Sequence, residues 1–319
     1  MTVTIDDVRR AAAVLDGVTV RTPVLRSDVL DERVGASVLV KCECLQRGGA
    51  FKLRGAFTKI SSIPEAERAR GVVAVSSGNH AIAVALSAKL LGTTATILVP
   101  EDAPAAKIDV VRSLGAEIVT FDRFTEDRDT VIGALVAERG LPFVPPYDDE
   151  AIIAGQGTAA LELFEDVGTL DALVVPVSGG GLIAGSGIVA AALSPGTRMI
   201  GVEPATMDDT RRSLEAGERV AVPMTATIAD GLTVTTPGAV TFPINQRQLE
   251  RVVTVTDEQL VQAMRVAFEE LHLVTEPSGV AALAALLTGA ADVRGERVGV
   301  IVSGGNVGLE RFRSLVYGD

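Results

Sequence analysis

The sequence predicts an α/β fold: two mostly parallel sheets, each covered by helices on both faces. Three observations carry that prediction. Short, continuous apolar runs such as Gly71-Val72-Val73-Ala74-Val75 and Ala172-Leu173-Val174-Val175-Pro176-Val177 read as strands buried on both faces. They alternate with helical segments at the spacing of right-handed βαβ units. Several of them empty into glycine-rich turns, at the edge where open α/β sheets bind ligands.

In chain order, residues 5–15 read as an amphipathic helix and residues 21–25 as an extended entry. Residues 38–44 form the first clear strand, and a helix runs from Lys52 to about Ser61, closed by Pro64. The strand 71–75 leads through Ser76-Ser77-Gly78-Asn79-His80 into a helix over 81–91. Residues 96–100 and 117–121 are strands followed by helices over 105–114 and 127–138, and 141–144 is a short last strand of this half. Pro145-Pro146 marks a connection, after which Gly155-Gln156-Gly157 precedes a helix over 158–165. The strand 172–177 ends in Ser178-Gly179-Gly180-Gly181, and a helix follows over 182–193. Strands at 199–203, 251–255 and 298–302 complete the set, and Thr256 with Gln259 makes a capping box for a helix ending near Leu271.

A length of 319 residues suits about two domains, and 47% hydrophobic residues support a sizeable core. No apolar run reaches the roughly 18 residues of a membrane span. Residues 1–10 carry Asp6 and Asp7 and no apolar signal core, so the expected compartment is the cytoplasm. The net charge of −12 is spread along the chain without a basic cluster, which argues against nucleic-acid binding and for a solubility role. The two cysteines, Cys42 and Cys44, alternate onto one strand face with Val38 and Val40 and are expected as buried free thiols.

The chemistry centres on Gly48-Gly49-Ala50-Phe51-Lys52-Leu53-Arg54-Gly55-Ala56, where one lysine sits among small and apolar residues as a helix begins. Burial lowers a lysine's pKa towards a usable amine, which can attack a carbonyl and hold it as a Schiff base. Ser178-Gly179-Gly180-Gly181 lets backbone N–H groups converge on an anion at a helix N-terminus, and phosphate is the natural guest. It is neither the Gly-x-Gly-x-x-Gly dinucleotide fingerprint nor a nucleotide P-loop, since no Lys-Ser/Thr follows. By itself it is also a tight turn that needs glycine.

Ser77-Gly78-Asn79-His80 offers N–H groups for a substrate carboxylate, with Asn79 placed to orient a ring hydroxyl. As a bare motif it is equally a helix cap, and His80 alone reads as a hydrogen-bonded structural histidine. Ser303-Gly304-Gly305-Asn306 also ends a strand, where a neutral serine can face a ring nitrogen without forcing its protonation. Glu203, five residues before Asp208-Asp209, could set carboxylates around a hard divalent cation or belong to a solvated acidic loop.

Taken together, 50–56, 76–80, Gly155-Gln156-Gly157-Thr158, 178–181, Glu276-Pro277-Ser278-Gly279 and 303–306 resemble the fold-type II pyridoxal-phosphate enzymes, whose architecture is tryptophan-synthase-β-like. Within that group the chain is similar to the serine racemase and threonine/serine dehydratase branch. The resemblance is collinear over nearly the whole chain. It implies Lys52 as the cofactor-bearing lysine and base on one face of the substrate Cα, with Ser77 as the catalytic serine on the other. It implies Phe51 beside the cofactor ring, Asn79 at its 3′-oxygen, and Glu276 and Leu182 in the cofactor site. Ser178, Gly179, Gly180 and Gly181 would cradle the phosphate, and Ser303 would face the pyridine nitrogen. Ser76, Ser77, Asn79, His80 and Arg128 would contact substrate. Glu203, Met207 (through its carbonyl) and Asp209 would hold magnesium, manganese or calcium.

Departures are few. Ser178 stands where the racemase has glycine, Ala50 replaces the usual serine before Phe-Lys, and Pro145-Pro146-Tyr147 replaces a more usual His-Pro start. Nothing is carried over at those last positions. The resemblance implies an ammonia-lyase that converts L-threonine or L-serine to a 2-keto acid and ammonia. The alternatives are a serine or aspartate racemase using Lys52 and Ser77, or a 3-hydroxyaspartate dehydratase, for which Arg128 is attractive. A non-catalytic sensor of a phosphate ligand would need neither Lys52 nor Ser77, and a nicotinamide dehydrogenase would need the absent fingerprint. The expected organisation is a large cofactor domain of residues 1–65 and 146–319 with a small mobile domain of 71–144, in a homodimer. With no regulatory domain after residue 319, feedback control of the biosynthetic threonine-dehydratase kind is not expected.

Overall fold

The computed structural model describes residues 3–103, 105–122 and 124–318. Its strands, numbered in chain order, are β1 Val24–Leu25, β2 Ser37–Cys42, β3 Val72–Val75, β4 Ala95–Pro100, β5 Glu117–Phe121, β6 Ala172–Pro176, β7 Arg198–Pro204, β8 Leu249–Val255 and β9 Arg297–Val302. Six of them form one sheet in the order β1-β2-β9-β6-β7-β8, and β3-β4-β5 form a second. Every pairing is parallel except β1 with β2, where Val24 faces Lys41.

Continuous apolar runs become central strands because helices cover both sheet faces. In β2, Val38, Val40 and Cys42 join the core on one face, while Leu39 joins the core on the opposite face with Leu173, Val175 and Ile301. Cys42 and Cys44 are free and buried in the same core, as the alternation predicts, although Cys44 lies in the 3₁₀ turn Glu43–Leu45 that ends the strand. Burial pushes both thiols up to about 12, which keeps them unreactive. The smaller sheet packs its own core, and Ala56, Ile60 and Ile152 extend that core into the neighbouring helices.

Three readings need correction. Residues 141–144 do not form a strand: they make one bridge, Val73 to Phe143, because Pro142 cannot donate to a ladder. The helix after β3 is Asn79–Leu90, so Asn79 and His80 open it instead of preceding it. The helix expected at 158 runs Glu150–Val167 and contains both glycines, capped by Asp149. Those glycines are there for close approach. A Cβ on Gly155 would run into the Arg54 carbonyl, and one on Gly157 would sit 3.0 Å from the Gly185 carbonyl. The helix Glu150–Val167 thus packs backbone to backbone between the helix Lys52–Ser62 and the helix Gly181–Leu193.

Candidate active site

Four strand ends converge on one cleft of about 610 Å³. β2 leads by way of the 3₁₀ turn to Phe51 and Lys52, β3 to Ser76 and Ser77, β6 to 178–181, and β9 to Ser303, and all of these line the cleft. Asn79, His80, Arg128, Leu182 and Glu276 line it too, so the structure brings every catalytic, cofactor and substrate candidate together.

Lys52 opens its helix half-buried. Its Nζ donates to the Pro146 carbonyl at 2.8 Å and lies 5.0 Å from the centre of the Phe51 ring. Loss of solvation pulls its pKa from 10.5 down to about 8, against the opposing pull of the Glu276 carboxylate. The neutral, nucleophilic amine therefore grows in as pH rises through about 8. Capture of an aldehyde by the ligand-free protein should speed up with that midpoint in stopped-flow absorbance. A midpoint near 10.5 would show a fully solvated lysine.

The groups around Lys52 are tied to one another. Asn79 Nδ2 donates to Glu276 Oε1 at 2.5 Å, and Asn79 Oδ1 accepts from Asn306 Nδ2 at 2.8 Å. Asn306 Nδ2 also donates to the Gly48 carbonyl at 2.7 Å, which joins this set to the loop before Lys52. The buried Ser303 accepts from the Phe51 N–H at 3.1 Å through its backbone carbonyl. Ser76 Oγ accepts from the Gly78 N–H at 3.1 Å and shapes the turn that presents Ser77. His80 is held neutral, its pKa pulled down to about 3 by burial and then by the Lys52 charge, and its Nε2 donates to the Val144 carbonyl at 2.9 Å. That is the structural histidine of the bare reading, in a residue that still lines the cleft. Arg128 opens the helix Arg128–Arg139 behind its Asp127 cap, exposed at the rim.

The glycine loop is held from behind. Gly180 takes φ +89°, a left-handed conformation glycine adopts freely. Thr241 Oγ1 donates to the Gly179 carbonyl at 2.6 Å and Asn245 Nδ2 to the Gly180 carbonyl at 3.3 Å. In a trans peptide the N–H points opposite to the C=O, so the Gly180 and Gly181 N–H groups face away from those side chains. They head the helix Gly181–Leu193, whose dipole favours an anion there. Asp148 pins the supporting segment by accepting from the N–H groups of Ala239, Val240 and Thr241 at 2.8, 2.7 and 3.2 Å. A Cβ on Gly179 would strike the Tyr147 ring.

Sequence reasoning assigned no role to Tyr147, Asp148, Gln156, Thr241 or Asn245. Gln156 lay in a noticed motif, and Tyr147 in the stretch 145–147, from which nothing was carried over. Tyr147, Thr241 and Asn245 meet the loop from positions 32 or more residues away, Asp148 acts on residues 239–241, and none of them carries a local signal.

At the end of β7, the buried Glu203 accepts from the N–H groups of Thr210 and Arg211 at 2.9 and 3.0 Å. Asp209 is buried beside it, and Asp209 Oδ2 has no hydrogen-bond partner. Burial pushes Glu203 up to about 7, and burial with the Glu203 charge pushes Asp209 up to about 8. Asp208 turns instead to Arg211 and Arg212. The buried Met207 sits between these acids in the loop. Among the described residues, no group of three or more His, Cys, Asp and Glu side chains is arranged as a metal cluster.

Residues 15–304 match the family model of the pyridoxal-phosphate-dependent enzymes. The chain belongs to that family. It is 47% identical to an L-threo-3-hydroxyaspartate ammonia-lyase from a Pseudomonas species, over 98% of both chains. It is 41% identical to the serine racemase of Schizosaccharomyces pombe, over 97% of this chain and 96% of that one. The structure of maize serine racemase superposes with a TM-score of 0.94 at 40% identity, covering 99% of this chain and 98% of that one. The fold is therefore the type II, tryptophan-synthase-β-like one, and the family's cofactor is pyridoxal phosphate. This cleft fits it: a neutral, buried anion cradle faces a lysine of lowered pKa. Among the described residues, no helix is long and apolar enough to cross a membrane.

Proposed function

We propose that this chain is an ammonia-lyase for β-hydroxy amino acids, with a 3-hydroxyaspartate as its preferred substrate. The observation that carries the reading is Lys52, a lysine of lowered pKa lining the same cleft as the glycine loop, Ser77 and Arg128. The name of the Pseudomonas relative supports the substrate, as does a rim arginine suited to bidentate contact with a side-chain carboxylate.

When bound, pyridoxal phosphate would supply the electron sink for the pair released at the substrate Cα. Lys52 Nζ takes the Cα proton, the β-hydroxyl takes up a proton and leaves as water, and the released unsaturated amine then adds water to give a keto acid and ammonia. Asn79, fixed between Glu276 and Asn306, orients the ring hydroxyl. Ser303 would serve as a neutral partner for the ring nitrogen. Ser77 on the opposite face can return a proton to Cα, which makes racemisation of serine or aspartate the second reading. Residues 71–144 act as a small domain that carries Ser76, Ser77 and Arg128 towards the lysine. Glu203 and Asp209, with the Met207 carbonyl, take a divalent cation, a proposal supported by the orphaned Asp209 Oδ2.

One assay tests these points. Keto acid, ammonia and D-enantiomer are followed from L-serine, L-threonine and 3-hydroxyaspartate, with magnesium and with chelator. The expected result is the highest kcat/KM on 3-hydroxyaspartate, with Arg128→Gln cutting that substrate about 10-fold or more (on the order of 1.4 kcal/mol) and barely affecting serine. Ser77→Ala should abolish D-enantiomer while elimination persists, and chelator should lower activity and melting temperature together. Equal losses on both substrates in Arg128→Gln would sink the substrate assignment, and full activity in chelator would sink the cation.

A further inference from the structure

We propose that Arg219 is a further specificity-determining residue, one that meets the side-chain carboxylate of the hydroxy amino acid from a wall of the cleft that no sequence motif marks. The inference rests on the reading that a 3-hydroxyaspartate is the substrate, and adds a second cation to Arg128. Arg219 lines the cleft with Arg128 and is exposed at the rim. Its Nε donates to the Pro237 carbonyl at 2.7 Å, and no other hydrogen bond or ion pair holds it among the described residues. That bond restrains the guanidinium and leaves its Nη1 and Nη2 edge as an open fork, the shape that takes a carboxylate through two parallel bonds. Arg211 and Arg212, on the helix Asp209–Ala216 just before it, differ: both pair with Asp208.

The segment that carries Arg219 is tied in place. The Val220 N–H donates to the buried Ser213 Oγ at 2.9 Å, the Val222 N–H to the Thr235 carbonyl at 2.9 Å, and the Thr225 N–H to Met207 Sδ at 3.2 Å. Residues 233–236 line the cleft themselves, so the bonds to Thr235 and Pro237 lay Arg219 along that wall. Such tethers reduce the ordering that binding would otherwise cost. Charge then selects the guest. A 3-hydroxyaspartate brings two carboxylates into a cleft that Asp230 and Glu276 also line. Lys52 is engaged with the proton at Cα, and the N–H groups of the 76–80 turn are the expected partners of the α-carboxylate. Arg128 alone would hold the remaining carboxylate against two acids, and Arg219 evens that count. Serine and threonine carry no such group and gain nothing from it.

Kinetics of the holoenzyme on 3-hydroxyaspartate and L-serine test this. Arg219→Gln is expected to lower the ratio of kcat/KM for 3-hydroxyaspartate over serine by about 10-fold, the size of one lost charge-assisted hydrogen bond, chiefly through KM. Arg219→Lys, which keeps the charge without the fork, should recover part of that ratio. An unchanged ratio in Arg219→Gln, with Arg128→Gln still selective, overturns the proposal and leaves the substrate reading standing. If the ratio holds because both substrates fall together, Arg219 only supports the segment 219–225, and the proposal is overturned as well. A wild type that prefers serine, or equal losses on both substrates in Arg128→Gln, overturns the substrate reading and this inference with it.

Discussion

Lys52→Ala is expected to lower kcat/KM for keto acid formation by at least about 10⁴-fold, the upper range for loss of one positioned proton-transfer group. Covalent capture of the cofactor is lost with it, so the protein should purify without the yellow absorbance and bind pyridoxal phosphate weakly and reversibly. The size of the effect follows from geometry. Lys52 Nζ is held at the cleft by one carbonyl and one aromatic ring, in a site that keeps its pKa near 8. His80 cannot substitute as a base, since its Nε2 is committed to the Val144 carbonyl and its pKa lies near 3. A Lys52→Ala protein within about 10-fold of wild type would remove the lysine from the chemistry.

The second large effect falls on stability. Two residues after Lys52, Arg54 is 0% exposed and spends its guanidinium on Glu43 at 2.8 Å through two nitrogens, on Glu162 at 2.7 and 2.8 Å, and on Thr158 Oγ1 at 3.1 Å. The buried Lys41 completes the set, donating to Glu162 at 2.6 Å and to the Thr22 carbonyl at 2.8 Å. Glu43 is buried, yet the Arg54 charge holds its pKa below the ordinary 4.5, outweighing desolvation. Arg54→Met leaves that carboxylate buried without its main partner. The expected cost is about 3–5 kcal/mol of unfolding free energy in urea titration. Adding Glu43→Gln should recover a large part of it, the non-additivity expected of contacting residues. A cost under about 1 kcal/mol would mean that water enters the cluster. Because the folded pKa of Glu43 is depressed, its contribution is full above the unfolded value near ~4.3 and fades as pH falls through the folded one.

The cluster also shows what local pattern can and cannot convey. Residues 38–44 read only as a strand, with no partner assigned to Lys41 or Glu43, and it is the chain's return at 158–162 that brings Glu162 to Lys41 and to Arg54. Gly155 and Gly157 looked like the break before a helix. They are interior to one, because only the packed neighbours, the Arg54 carbonyl and Gly185, show why a helix would accept the local cost of glycine. Helix and strand boundaries at 5–15, 117–121 and 257–271 were legible because caps and periodicity are written within a few residues.

By itself the sequence determined the two-sheet α/β class, the lysine and the strand-end motifs. Buried parallel strands demand continuous apolar runs, and anion-binding turns demand glycine in consecutive positions. It also marked Ser77, Asn79 and Arg128 as candidates for one site and the Glu203–Asp209 loop as a candidate for a separate cation site. Only the tertiary structure decided the strand order β1-β2-β9-β6-β7-β8, the seam between three helices, and the supports of the glycine loop. Thr241 and Asn245 reach the 179–180 carbonyls, and Gln156 shares an acceptor with Lys52, across separations of 62, 65 and 10 residues that no local periodicity encodes. Those contacts exist because side chains find partners in space, after burial has chosen which backbone groups lack them.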